Sequence, residues 1–181
     1  MNTFDKAWQE TGRAEGGYTN NPNDSGGPTN WGITERVARK HGYMDDMKNL
    51  PKSSALVIAK REYWDVMLLD DIADISENIA LELFDTGFNT GTSRAAKFLQ
   101  RALNVLNNRG TYYNDVIIDG AIGKKTITAL SAFIQKRGKD GELVMLRALN
   151  ALQGEFYIEL AERREKDETF VYGWFLQRIK I

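Results

Sequence analysis

Apolar residues recur along most of the chain at three- and four-residue steps, which is the spacing of α-helices. Phe4 and Trp8 begin such a stripe and predict a helix from about Thr3 to Glu15. Residues 16–33 interrupt the pattern with five glycines and two prolines. This composition predicts a turn-rich excursion that holds a short hairpin.

Helical spacing then returns and continues to the C-terminus. Thr34 is the expected N-cap of a short helix that ends at Gly42, and Ser53 that of the next helix. Further helices are predicted over about 77–87, 93–107, 124–137, 142–165 and around 174–179, with a loop over 108–123. No alternation of strands and helices and no repeat is visible, so we predict a mainly α fold, a helical bundle with one small excursion near residues 16–33.

Composition excludes several classes of site. The 181 residues include no cysteine and one histidine, His41, which excludes disulfides, thiolate chemistry and histidine-rich metal sites within one chain. The net charge is −1, which argues against a general nucleic-acid binder. The charge is uneven, because residues 1–89 hold 9 Lys/Arg against 15 Asp/Glu and residues 90–181 hold 15 against 10. Any polyanionic partner is therefore expected at the second half.

The sequence gives no sign of membrane insertion. It contains no apolar run near the roughly 18–20 residues that a membrane span needs. The N-terminal residues also lack the apolar segment of a signal peptide. We expect synthesis in the cytoplasm without a signal peptide, no membrane insertion and a monomeric protein.

Glu15 is the first candidate for chemistry. On a helical wheel it falls within about 20° of Phe4 and Trp8, so the helix would place a carboxyl group on its apolar stripe. Burial beside aromatic rings raises the pKa of a carboxyl group, which suits a proton donor. The alternative is that the helix end frays, or that Glu15 pairs with Lys6 or Arg13.

Asp24 supplies a second carboxylate nine residues later, on the glycine-rich segment. Two carboxylates, one at a helix end and one on a following loop, suit the cleavage of a glycosidic bond. Thr29 and Thr34 follow Asp24 and are candidates for positioning water. The alternative for Asp24 is a capping role within its own turn.

Two segments carry a resemblance to a known family. Glu-Gly-Gly-Tyr at 15–18 and Asn-Pro-Asn-Asp-Ser-Gly-Gly-Pro-Thr-Asn-Trp-Gly-Ile-Thr at 21–34 resemble the signature of the glycosyl hydrolase 108 family of N-acetylmuramidases. That family includes phage endolysins and bacterial proteins once labelled secretion activators. The resemblance continues through residues 83–85, 89–91, 99–104, 119–123 and 173–174.

The resemblance implies a role for each half of the chain. It implies a lysozyme-like α+β catalytic domain at 1–91 and a helical peptidoglycan-binding-like region at 92–181. The family's catalytic acid maps onto Glu15. The Glu-x₈-Asp-x₄-Thr spacing is similar to the triad of phage lysozymes of the T4 kind, which have one more residue before Thr, so Thr29 and Thr34 both stay candidates.

The implied reaction is hydrolysis of the β-1,4 bond between N-acetylmuramic acid and N-acetylglucosamine in peptidoglycan, without metal or cofactor. It would serve cell lysis or protein export, in the periplasm or cell wall, after a holin or an export system releases the protein. Two alternatives stay open: a lytic transglycosylase acting on the same bond, and a non-enzymatic wall-binding accessory of secretion.

Four residues are candidates for contact with the glycan. Trp31 and Tyr18 lie near the candidate acid in sequence, Asn89 follows an apolar helix face, and Tyr112 lies in the loop 108–123. Aromatic side chains in loops suit stacking on sugar rings. The alternatives are that Trp31 anchors its loop and that Asn89 caps a helix.

Overall fold

The computed structural model describes residues 1–14, 17–20 and 27–179, with the backbone alone for 12–14. Eight helices and three short strands follow one another in this part of the chain. In order they are α1 (Thr3–Ala14), β1 (Tyr18–Thr19), β2 (Thr29–Asn30), β3 (Ile33–Thr34), α2 (Glu35–Lys40), α3 (Lys52–Ala59), α4 (Leu69–Ala73), α5 (Glu77–Thr90), α6 (Thr92–Leu106), α7 (Lys124–Arg163) and α8 (Glu168–Arg178). The prediction of a mainly α fold is confirmed.

The excursion after α1 forms a small antiparallel sheet in the order β1-β2-β3. Tyr18 pairs with Asn30, and Thr29 pairs with Thr34. Trp31 and Gly32 form the two-residue turn between β2 and β3, with φ values of 55° and 72°. Two positive φ values in succession are those of the turn type that matches strand twist, so the predicted hairpin is confirmed.

One of the two predicted N-caps is confirmed. The Thr34 hydroxyl accepts a hydrogen bond from the Val37 amide at 3.4 Å, which caps α2 as predicted. The prediction for Ser53 is wrong, because α3 begins at Lys52 after Pro51. Proline has a fixed φ and lacks an N–H, so it is well placed at a helix start, and its carbonyl accepts from Ala55 at 3.0 Å.

The break predicted between the helices at 124–137 and 142–165 is a single non-helical residue within α7. Gly138 has φ 59° and ψ −143°, which kinks α7. Gly141 is helical and buried instead, and a Cβ at this position would lie too close to the Arg137 side chain. The glycine pair therefore marks a kink followed by a tightly packed turn.

One hydrophobic core runs through both halves of the chain, from Phe4 in α1 to Leu149 in α7. Helix α5 lies at its centre and packs against α1, α4, α6 and α7. The helices approach closely at Gly87, where a Cβ would lie 2.6 Å from Cε of Met67 and 3.7 Å from Cβ of Ala95. The predicted division after residue 91 therefore falls between two helices that share a core.

Candidate active site

A cleft of about 870 Å³ opens between the first and the second half of the chain. Thr34 and Asn89, two of the predicted site residues, lie in its lining. One wall consists of α2, the turn at 60–64 and the end of α5. The other consists of α6 and the second part of α7. The cleft is open and lined by polar and aromatic groups, as suits a sugar polymer better than a small apolar ligand.

Aromatic rings connect this cleft to α1. Phe88 lines the cleft and makes an edge contact with Trp8 of α1, with ring centroids 6.0 Å apart. Tyr63 lies beside Phe88 at 4.9 Å. Burial, with the adjacent Glu62 charge, raises the pKa of Tyr63 to about 12. Its phenol therefore stays neutral in the wall of the cleft.

Asp85 connects the last turns of α1 to the cleft. The buried Thr11 hydroxyl donates to Oδ1 of Asp85 at 3.3 Å. The Asn89 amide, one turn further along α5, donates to the Asp85 carbonyl at 2.7 Å and to Oδ1 at 3.3 Å. A continuous set of hydrogen bonds thus leads from the helix that precedes Glu15 in sequence to a residue in the cleft lining.

Helix α8 completes this set from the far end of the chain. Nη1 of Arg178, a side chain only 5% exposed, lies 3.0 Å from Oδ1 of Asp85. The Gln153 amide of α7 donates to Oδ2 of Asp85 at 3.4 Å and to the Tyr157 hydroxyl at 3.0 Å. Four helices, α1, α5, α7 and α8, therefore meet at one carboxylate.

Neither predicted carboxylate can be placed. Glu15 and Asp24 lie outside the described residues, and their roles stay predictions. Thr29 is buried, and its hydroxyl donates to the Gly27 carbonyl at 3.0 Å. Thr34 pairs with it across the sheet but lies in the cleft lining, so the structure gives the two threonines different surroundings.

The four predicted glycan contacts do not come together at one site. Asn89 is in the cleft lining. The Trp31 indole donates to the Leu50 carbonyl at 3.0 Å and lies under Lys52, which fixes it against the following segment. Tyr18 is exposed below Lys48. Tyr112 lies against the first part of α7, under Lys136 and Arg137, and does not line the cleft.

Sequence reasoning missed the cationic residues of the cleft and the partner of Asp85. Arg94, Lys97 and Arg101 lie three and four residues apart on α6, a spacing that could have identified a common face. Nothing in the sequence pairs Arg178 with Asp85, 93 residues away. That contact exists only because α8, which packs against α7, comes within reach of α5.

Neither a metal cluster nor a membrane span emerges from the residues that the structure describes. Over 1–14, 17–20 and 27–179, no three potential ligand residues come together to hold a metal ion. No helix of this part is long and apolar enough to cross a bilayer.

Comparison with known proteins divides the chain in two. Residues 8–91 match the family model for glycosyl hydrolase 108, and residues 94–179 match the model for a predicted peptidoglycan domain. No curated protein matches the sequence. Among solved structures, the chain is similar to one titled "Structure of Brucella abortus SagA", at 27% identity and a TM-score of 0.71, over 95% of this chain and 87% of that one.

Proposed function

Because the chain belongs to the glycosyl hydrolase 108 family, we propose that it hydrolyses the β-1,4 bond between N-acetylmuramic acid and N-acetylglucosamine in peptidoglycan. Membership makes the chain a glycoside hydrolase with a wall-related role. The particular bond is our proposal, and so is the division of work between a catalytic part at 1–91 and a glycan-binding part at 92–181.

The observation that carries the proposal is the position of the cleft. It lies between the segment that matches the hydrolase family and the segment that matches the peptidoglycan domain. Trp8 and Thr11 of α1 reach its wall through Phe88 and Asp85. A polymer bound there contacts both segments and passes close to the helix that precedes Glu15.

Glu15 is the proposed general acid and protonates the leaving glycosidic oxygen. Asp24 is the proposed second carboxylate, which activates water or stabilises the oxocarbenium-like centre. The buried stripe Phe4, Trp8 and Thr11 supports the assignment of Glu15, because it extends the apolar face on which the sequence predicts that residue.

Thr34 is the better of the two threonines for positioning water. Its oxygen accepts from the Val37 amide, so its hydroxyl hydrogen is available to a group in the cleft. The Thr29 hydroxyl is instead donated to Gly27. Asn89 is the proposed glycan contact in the cleft, and Tyr18, Trp31 and Tyr112 stay predictions.

Delivery is a separate part of the proposal. Peptidoglycan lies outside the cytoplasmic membrane, so the protein has to reach that side to act. We propose that a holin pore or an export system supplies the route, in lysis or in secretion. Co-expression with and without a holin tests this, since lysis is expected only with the pore.

The variant Glu15→Gln tests the chemistry. It keeps the shape of the side chain and removes the proton donor, so the clearing of purified sacculi is expected to fall by roughly 100- to 10,000-fold. Glu10→Gln is the matched control, because Glu10 is an exposed glutamate of the same helix. Clearing by E15Q within about threefold of E10Q contradicts the assignment.

A further inference from the structure

The cleft carries more positive than negative charge. Its described lining contains five cationic side chains and three carboxylates. They are Arg36, Arg94, Lys97, Arg101 and Arg163 on one hand, and Glu62, Glu155 and Glu159 on the other. The charges that have no partner within the protein determine which ligands the cleft can bind.

Two of the three carboxylates have cationic partners. Oε2 of Glu62 lies 2.7 Å from Nζ of Lys40 and 2.9 Å from Nε2 of His41. Burial raises the pKa of Glu62, but the hydrogen bonds from Lys40 and His41 outweigh this effect and lower it. Glu159 pairs with Arg163 one turn along α7, at 3.2 Å. The negative charges of Glu62 and Glu159 are therefore largely balanced by cations of the walls themselves.

Three cations of α2 and α6 are not paired in this way. Arg36, Lys97 and Arg101 are exposed, and none of them forms an ion pair with a carboxylate in the part of the chain that the structure describes. Glu155 is the remaining carboxylate among the described lining residues. The cleft therefore presents a net positive surface to a ligand.

Helix α6 fixes the geometry of this surface. Arg94, Lys97 and Arg101 follow one another at three and four residues and share one face. Nη1 of Arg94 donates to the Thr90 carbonyl at 2.8 Å, and its guanidinium lies 3.9 Å from the centre of the Phe156 ring. Arg94 is thus held in place, while Lys97 and Arg101 extend from the same face.

We propose that Lys97 and Arg101 of α6 bind the carboxylates of the peptide stems that peptidoglycan carries. The inference rests on the proposed function in taking peptidoglycan as the ligand. The sugar rings of the glycan backbone are uncharged, so their binding gives no reason for unpaired cations along the cleft. The stems project from the glycan and carry free carboxylates, which are suitable partners for lysine and arginine.

Affinity for glycan fragments with and without stems tests the proposal. Soluble fragments free of phosphate polymers are prepared with intact stems, or with the stems removed by an amidase. The amidase frees one lactyl carboxylate on each N-acetylmuramic acid, and this group is converted to its methylamide so that the stripped fragments are uncharged. Their dissociation constants are measured by calorimetry in a Glu15→Gln background, which prevents consumption of the fragments. The test variant adds Lys97→Gln and Arg101→Gln. The control adds Lys124→Gln and Lys125→Gln, which remove the same charge from the exposed start of α7, outside the cleft.

The expected result is a loss specific to stems. Two exposed charge pairs correspond to a roughly two- to thirty-fold weaker affinity of K97Q/R101Q for stem-bearing fragments. Its affinity for stripped fragments should match that of the control. The difference should shrink in high salt, because exposed charges are screened.

Three results overturn the proposal: equal affinity of the parent for both fragments, an equal loss on both fragments, and an equal loss in the K124Q/K125Q control. Loss of affinity only for a phosphate-containing wall polymer, added as a third ligand, also overturns it in favour of phosphate binding. Failure of the proposed function looks different, since the wild-type chain would then release no sugar ends while the stem-specific affinity persisted.

Discussion

The two walls of the cleft are built on different principles. The wall from the first half presents Tyr63 and Phe88, and its carboxylate Glu62 is neutralised by Lys40 and His41. The wall from the second half presents Lys97 and Arg101 without described acidic partners. Among the described lining residues, the first wall holds one cation, Arg36, and one carboxylate, whereas the second holds four cations and two carboxylates.

The uneven charge of the chain is reflected in the cleft. Part of the basic excess of the second half faces it, whereas Glu62 of the first wall is paired with Lys40 and His41. Aromatic rings and neutral hydroxyls suit the uncharged sugars at the reacting bond. Cations suit the charged substituents of the same polymer. We therefore propose that the two walls divide recognition between the backbone of the glycan and its charged side groups.

Removal of the second wall is expected to have the largest effect. A fragment of residues 1–91 exposes the faces of α5 that pack against α6 and α7, including the close contact at Gly87. Because the two halves share one core, we expect the fragment to lose cooperative unfolding, as measured by circular dichroism during heating. A folded and fully active fragment would show that the first wall is sufficient for the chemistry.

Removal of the contact between α8 and α5 is expected to have the second-largest effect, on the free energy of unfolding. Arg178→Met leaves Asp85 partly buried without its cation, and such a change costs roughly 3–5 kcal/mol of unfolding free energy. Arg163→Met is the control, because it removes an exposed pair with Glu159 that is worth about 0.2–1 kcal/mol. Urea unfolding measures both. Equal destabilisation of the two variants would show that the contact between Arg178 and Asp85 contributes no more than an exposed ion pair.

The neutralised charge of the first wall predicts a small, pH-dependent effect. The folded-state pKa of Glu62 lies below its usual value of 4.5, so its pairs stabilise the protein above that pH and lose their effect as the pH falls. Glu62→Gln should therefore lower stability by about 0.2–1 kcal/mol at pH 7 and by less near pH 3.5. Melting temperatures at the two pH values measure this. A constant or growing difference in acid would contradict the pairing.

Local signals in the sequence were sufficient for most of the fold. The stripe of Phe4 and Trp8, the cap at Thr34 and the glycine at 138 each act within a few residues, and the structure confirms them. The prediction for Ser53 failed because Pro51, two residues earlier, already starts the helix. A serine near a helix start is a good cap only where no better start precedes it. Helix ends are the least certain feature of such predictions for this reason.

The site was less accessible to sequence reasoning. Thr34 and Asn89 were found because a motif and a helix end marked them, and both lie in the cleft lining. The cleft itself depends on how α6 and α7 pack against α5, and Arg178 meets Asp85 across 93 residues. No periodicity or spacing encodes such distant contacts, since they follow from tertiary packing.

The sugar ends released from purified peptidoglycan test the central claim most directly. The protein is incubated with sacculi, the new ends are reduced with borohydride, and the fragments are identified by mass spectrometry. Hydrolysis of the proposed bond predicts reduced N-acetylmuramic acid at the new ends, absent in Glu15→Gln. New ends of N-acetylglucosamine, of anhydro-muramic acid, or none at all from the wild-type chain would contradict the account.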